Sequence, residues 1–278
     1  MNPAAFEHEA MATLFMIRIA GADPEYAGQA AAAAFRELDR LEGELSRFIE
    51  TSDIARANRV AREETITIGP DATDCLVLAA GIARMTDRAF DPAYASVRAP
   101  DTAPDMPVFA LDPTTHRLTS LCPRLHLDLG AIGKGFALDR LADVLREWDI
   151  SSALLESGGS TVLALAAPPE AAGWAVNVGE AGHTRRLTLA HGALSASGIG
   201  VQGEHLIDPR AGQPAVRRQR VWACGTSAAV ADALSTAFFV MPDQAVAAFC
   251  TRQPDVGAVL GGMDEPVRLL GANLPPWR

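Results

Sequence analysis

The chain has 278 residues, 49% of them hydrophobic and 21% charged, enough for one large domain or two small ones with a sizeable core. Its 34 acidic against 24 basic side chains give a formal net charge of −10. That balance argues against general nucleic-acid binding, because phosphate affinity comes from clustered Lys and Arg.

The local signals agree. The short basic run Arg217, Arg218 and Arg220 reads as a solvated strand edge or loop. Cys75, Cys122, Cys224 and Cys250 lie far apart with no C-x-x-C spacing, so they read as buried free thiols rather than a zinc site. No stretch approaches the roughly 18 consecutive apolar residues of a membrane-spanning helix. MNPAAFEHEA at the start offers no basic n-region, no hydrophobic h-region and no lipid-accepting cysteine. The expectation is a cytoplasmic protein, or a periplasmic one if the start has been trimmed.

In chain order, Ala12–Ala20 mixes apolar residues and β-formers and predicts a first strand, closed by Gly21-Ala22-Asp23-Pro24. A long helix is expected from about Glu25 to Phe48, with Phe35, Leu38, Leu41, Leu45 and Phe48 as one buried stripe. Ser52 can cap a short helix ending near Asn58. Thr65–Ile68 predicts a short strand, and Asp71 or Thr73 can cap a helix through Thr86 that Ala89-Phe90-Asp91-Pro92 ends. Ala99–Thr115, rich in Pro, Asp and Thr, reads as a long loop or insert.

The stretch Leu125–Asp139, LHLDLGAIGKGFALD, is the richest in the chain. Leu125, Leu127 and Leu129 alternate with His126 and Asp128 as in a half-buried strand. Gly130, Gly133 and Gly135 allow positive φ and close approach to backbone. From Phe136 the apolar residues Phe136, Leu138, Leu141, Ala142 and Leu145 recur at helical spacing. Such a strand, turn and helix start can bind phosphates, or can be an ordinary tight β–α connection. It is neither a Walker loop, since Gly135 follows Lys134 where Ser or Thr is needed, nor the dinucleotide fingerprint.

Beyond it, Ala153–Leu155 and Thr161–Ala166 predict strands joined by Ser157-Gly158-Gly159-Ser160. Trp174–Val178, Arg185–Leu189, Ala193–Ser195, Glu204–Asp208 and Arg220–Cys224 predict further strands. Ser227–Met241 is a helix with Ser227 as N-cap and Pro242 as stop, and the tail from Asp255 reads as strands. Strands that mostly do not alternate with helices favour an α+β fold.

Several residues can carry chemistry. Asp232 and Thr236, four apart, share one side of a largely apolar helix, with Ser235 beside them. All-oxygen ligands with one carboxylate suit a hard cation such as Mg²⁺ that takes its remaining ligands elsewhere. A solvated polar face, or Thr236 bonding back to a helix carbonyl, is the plain alternative. His205 and Asp208 flank Leu206-Ile207, and a histidine near an acid can act as general base or simply close a strand end. Ser195 and Ser197 lie in LSASG, which lacks the G-x-S-x-G of a hydrolase elbow. His8, His116, His126, His183 and His191 show no partner pattern.

Taken in order, MATLF (Met11–Phe15), LSRFIETSDIARAN (Leu45–Asn58), AFDP (Ala89–Pro92), DLGAIGKGFALD (Asp128–Asp139), SGG (Ser157–Gly159), SASG (Ser195–Gly198), HLIDPRAGQP (His205–Pro214) and ADALSTAFFV (Ala231–Val240) resemble the ApbE family, the FAD:protein FMN transferases. The resemblance implies one ApbE-like domain over residues 1–278, with an α+β, tunnelling-fold-like arrangement of antiparallel sheets and packed helices. It implies a flavin transferase that moves FMN from FAD onto a Ser or Thr hydroxyl of a client flavoprotein, releasing AMP, with Mg²⁺ as cofactor. FAD and the client are the implied partners, with no nucleic acid and no membrane segment.

By motif position, Met11, Phe48, Ala89, Phe90 and Asp91 would surround FAD, Asp128 and Lys134 would touch it, and Ile207 would meet the flavin. The Ala131 carbonyl, Asp232 and Thr236 would bind the metal, with Ser235 where some relatives place another acid. His205 is the candidate base, with Asp208 orienting it or the client. Relatives usually carry Asn-Ala-Gly-Gly-Asp where this chain has Glu156-Ser157-Gly158-Gly159-Ser160, and the segment before His205 is short. A FAD pyrophosphatase and a non-catalytic FAD-binding or assembly protein therefore stay open beside the transferase.

Overall fold

The computed structural model describes residues 3–100, 102–103, 106–178, 185–198, 207–210, 212–215, 220–261 and 268–271. The elements in chain order are β1 (Ala4–Ala10), β2 (Thr13–Ile19), α1 (Pro24–Leu45), α2 (Asp53–Ala57), β3 (Thr65–Thr67), α3 (Pro70–Met85), β4 (Phe109–Asp112), β5 (Arg117–Ser120) and α4 (Gly133–Glu147). There follow β6 (Ala153–Ser157), β7 (Thr161–Ala164), β8 (Trp174–Val178), β9 (Arg185–Leu189), β10 (Gly192–Gly198), β11 (Ile207–Asp208), β12 (Gln213–Pro214), β13 (Arg220–Gly225), α5 (Ala228–Val240), α6 (Asp243–Arg252), β14 (Gly257–Gly261) and β15 (Arg268–Leu270).

The scaffold is an eight-stranded sheet in the order β1-β2-β6-β7-β10-β13-β14-β15, antiparallel at every pairing. Strand alternation sends one set of side chains to each face. Phe15, Ile17, Leu155, Leu163, Ala193 and Val221 join the large core under the helices. On the other face Leu154, Val162, Leu194 and Trp222 form a smaller core closed by the β8–β9 hairpin through Trp174, Val176 and Leu187. All four cysteines are buried free thiols, as expected. No helix among the described residues is long and apolar enough to cross a membrane.

α1 begins as its sequence dictates. Asp23 accepts the Glu25 and Tyr26 amides at 3.0 and 3.2 Å, and Pro24 sits where its missing N–H costs nothing. The helix stops at Leu45, short of the expected Phe48. Ser46 turns extended, so Phe48 leaves the buried stripe and is 78% exposed. α1, α3 and α4 are tied together through Asp71, which takes Arg40 at 2.6 Å and Arg140 at 2.8 Å.

Three further expectations need correction. The first strand is a hairpin: β1 precedes β2, and the turn residues Met11 and Ala12 both hold positive φ (50° and 57°) without any Gly or Asn to announce it. The expected loop over Ala99–Thr115 contains β4, which pairs with β5. Pro242 stops the helix from Ser227 as expected, and it also serves as N-cap residue of α6, which follows at once and lies outside the expected elements.

The expected strand Leu125–Leu129 is not a strand. Its alternation is real, with the three leucines buried, but no strand among the described residues pairs with it. Its backbone is satisfied piecemeal: Leu127 N–H and C=O by the Asn58 amide at 2.6 and 2.9 Å, and His126 N–H by Ser96 Oγ at 2.9 Å. Asp128 N–H donates to the Pro92 carbonyl at 2.8 Å.

Candidate active site

The site is built where the first turn of α4 meets the first turns of α5. A Cβ on Gly135 would lie 2.3 Å from the Ala228 carbonyl oxygen, so only glycine lets the two backbones cross this closely. None of Gly130, Gly133 and Gly135 takes positive φ. The glycine that is sterically required at this turn admits a helix rather than a ligand.

At the crossing each helix caps the other. Asp139 of α4 accepts the Ala228 and Ala229 amides at 2.8 and 2.9 Å and Ser227 Oγ at 2.7 Å, satisfying donors that a helix start leaves open. Burial pushes its carboxyl above the usual range, against the pull of those three donors. In return Asp232 of α5, 6% exposed, accepts the Gly135 amide on Oδ2 at 3.1 Å. This bond ties the turn carrying Ala131 to the α5 face carrying Asp232 and Thr236.

Below α5 lie hydroxyls. Thr161 of β7 and Ser195 of β10 are cross-strand partners. Their hydroxyls lie 2.8 Å apart and 3.3 and 3.1 Å from Asp232 Oδ1, so with one proton each, one donates to its neighbour and the other to the carboxylate. Ser235 is fully buried and donates to the Asp232 carbonyl at 2.8 Å. Among the described residues no group of three or more His, Cys, Asp or Glu is placed to hold a metal. The expected donors, the Ala131 carbonyl, the Asp232 carboxylate and the Thr236 hydroxyl, are all oxygens. That set does not fit zinc and fits a hard cation that completes its shell with ligand phosphates and water.

The expected FAD contacts have the following partners. Asp128 Oδ1 accepts the Gly130 amide at 2.9 Å, and Lys134 Nζ reaches back to the Gly130 carbonyl at 2.8 Å. The Asp128–Pro92 backbone bond brings Ala89–Asp91 alongside. Ala89 and Phe90 are buried in the core, and Asp91 accepts the Ala93 amide at 2.9 Å and pairs with Arg88. Met11 sits at the β1–β2 turn, its amide held by Glu42 at 2.8 Å.

Arg47, to which the sequence reading gave no role, bonds Asp128 at 3.1 Å and lies 4.0 Å over the ring of exposed Phe48. Together with Asn58, Arg59 and His126 they line an open cleft of about 260 Å³. Asp208 is gripped by Arg210 on both oxygens, at 2.9 and 2.8 Å. His205 lies outside the described residues, as does the Ile207 side chain, although Ile207 pairs with Pro214 through its backbone. In the altered hairpin, Glu156 is taken by Arg18 at 2.5 Å. Ser157 Oγ is buried with no hydrogen-bond partner among the described residues.

Fold and site together define an α+β protein in which a glycine-bearing helix start is closed against an acid-and-hydroxyl face of a second helix. The ApbE family model matches residues 11–260, and the chain belongs to that family. Over 50 residues it is 44% identical to the FAD:protein FMN transferase of Klebsiella pneumoniae (strain 342), a stretch spanning 18% of this chain and 16% of that relative.

Whole-chain similarity is structural. A mutant of flavin transferase ApbE from Vibrio cholerae aligns with a TM-score of 0.82 at 19% identity, covering 97% of this chain and 98% of that one. The ApbE protein of Thermotoga maritima gives 0.80 at 23%, covering 96% and 97%. The apo flavinyl transferase ApbE of Pseudomonas stutzeri gives 0.79 at 21%, covering 98% of each. At these identities the likeness establishes the fold.

Proposed function

We propose that the protein is a Mg²⁺-dependent FAD:protein FMN transferase, moving FMN from FAD to a Ser or Thr hydroxyl of a client flavoprotein and releasing AMP. The observation that carries this reading is the Gly135–Asp232 bond, which joins the Asp128–Lys134 turn and the Asp232/Thr236 face into one site. The family and the names of its relatives supply the substrate class.

The Ala131 carbonyl, Asp232 and Thr236 would hold the cation, with Ser235 in support below them. When bound, the cation would neutralise charge on the FAD pyrophosphate and stabilise the departing AMP. The client hydroxyl attacks the FMN-side phosphorus, the bond from that phosphorus to the bridging oxygen breaks, and AMP leaves with that oxygen. His205 takes the hydroxyl proton. Lys134, whose ammonium rests on the Gly130 carbonyl, is a flexible cation that would meet the FAD phosphates. Arg47 orients Asp128, and its stack with Phe48 gives an aromatic edge to the FAD side. Asp208, fixed by Arg210, orients the histidine or the client.

The test is to incubate the protein with FAD, Mg²⁺ and a candidate client, then weigh the client and measure AMP. Client mass rising by one FMN, with matching AMP and dependence on Mg²⁺, is the expected result. FMN and AMP released at the same rate without a client would identify a FAD pyrophosphatase, and FAD bound without turnover a binding protein. His205→Ala is expected to slow client flavinylation, and an unchanged rate would remove its role as base.

A further inference from the structure

Ser195 and Ser197 of the SASG segment are left without a task by the reading above. Two apart on β10, they point to the same, helix-facing side of the sheet, directly under the polar residues of α5. Ser195 Oγ lies 2.8 Å from Thr161 Oγ1 and 3.1 Å from Asp232 Oδ1. Ser197 Oγ lies 2.8 Å from Ser235 Oγ and 3.3 Å from Thr236 Oγ1.

Counting protons fixes the direction of these bonds. Each hydroxyl carries a single proton and two lone pairs. Ser235 spends its proton on the Asp232 main-chain carbonyl, so Ser197 must be the donor in the Ser197–Ser235 bond. With that proton spent, Ser197 can only accept from Thr236. The chain therefore runs one way, from Thr236 to Ser197 to Ser235 to the Asp232 carbonyl. The Thr236 proton is drawn down toward the sheet and the oxygen's lone pairs are left for another partner. A cation needs that arrangement from a neutral hydroxyl, because a hydroxyl ligates through a lone pair with its proton turned away.

We propose that Ser197, assisted by Ser195, is a positioning residue: the β10 hydroxyls turn Thr236 and Asp232 so that their oxygens face a divalent cation. The inference rests on the reading that α5 contributes to a cation site. It assigns Ser197 the orientation of Thr236, and Ser195 with Thr161 the orientation of Asp232 Oδ1. Support of this kind sets metal affinity as well as geometry.

The experiment is a Mn²⁺ titration of the full chain with FAD present, reading free Mn²⁺ by electron paramagnetic resonance, alongside a melting curve in EDTA. Ser197→Ala is expected to weaken Mn²⁺ binding by about tenfold while the EDTA melting curve and metal-free FAD binding stay at their wild-type values. Ser197→Thr, which keeps the hydroxyl, is expected to restore the affinity. Ser195→Ala, with Thr161 still on Asp232, is expected to show a smaller loss and gives an independent reading if Ser197→Ala does not fold. Asp232→Asn separates the two claims. Wild-type Mn²⁺ affinity in the serine variants with binding lost in Asp232→Asn would overturn the positioning role alone. Wild-type affinity in Asp232→Asn as well would overturn the cation site beneath it.

Discussion

The Asp232 carboxylate accepts the Gly135 amide on one oxygen and a proton from the Thr161–Ser195 hydroxyl pair on the other, so truncating it strands two buried donors. Asp232→Ala is expected to lose about 3 kcal/mol of stability on that account, visible as a lower urea midpoint, and its loss of activity would then be ambiguous. Asp232→Asn is the sharper variant. The hydroxyls can reverse to accept from its Nδ2 while Oδ1 keeps the Gly135 amide. Stability is expected to stay within about 1 kcal/mol of wild type, while Mg²⁺-dependent AMP release falls by about a hundredfold or more, because Lewis-acid stabilisation is worth several kcal/mol. Wild-type AMP release in that variant would remove Asp232 from the metal site. The pairing of Asp232 with Thr236 was legible because a four-residue spacing on a helix is a local fact. The partners Thr161 and Gly135 were not, since they lie 71 and 97 residues away and only the folded topology brings them in. Ser195 could be noticed in its motif but not given a task.

At the scale of elements, the α4–α5 crossing is the joint on which the site depends. Gly135→Ala would drive a methyl group into the Ala228 backbone, and overpacking of this kind costs about 1–3 kcal/mol. The expected outcome is a lower melting temperature accompanied by weaker Mn²⁺ binding, as the turn moves off Asp232. The Asp139 cap carries a pH signature. Its carboxyl is raised by burial, so the folded protein binds that proton more tightly than the unfolded chain does. Its contribution to stability is therefore greatest below the ordinary Asp value of about 4 and declines as pH rises through the raised folded value. Asp139→Asn cannot titrate. Wild type is expected to lose stability relative to this variant over that window, measured as urea midpoints, and parallel curves would contradict the shift. Helices with strong caps and stripes could be read directly, as α5 shows. Leu125–Leu129 misled because its alternation is that of a half-buried strand, while its hydrogen bonds come from Asn58, Ser96 and Pro92 instead of a neighbour. β1 escaped notice because its turn uses Met11 and Ala12 against their backbone preference.

Across the molecule, one antiparallel sheet separates two cores, and the Asp232 hydrogen-bond cluster lies on the helix side. The four cysteines are packed into these cores. Burial raises the Cys224 thiol to about 12 and Cys250 to about 11, and Cys75 is also pushed up, so none of these three supplies thiolate at neutral pH. Iodoacetamide is expected to leave Cys75, Cys224 and Cys250 unmodified in the native protein and to label them in urea, checked by intact mass. Rapid native labelling would show that these cores open.

The reciprocal caps of α4 and α5 have a consequence for reading other chains of this fold. A polar side chain at the Asp232 position is kept in place by the needs of folding, since as Asp or as Asn it closes the start of a neighbouring helix whether or not any cation arrives. A descendant that abandoned catalysis would retain one or the other, so a polar residue there does not by itself certify an enzyme. Thr236 closes no helix start, and losing its hydroxyl would leave Ser197 lacking only an incoming proton. In telling working members from retired ones, the threonine is the more informative letter.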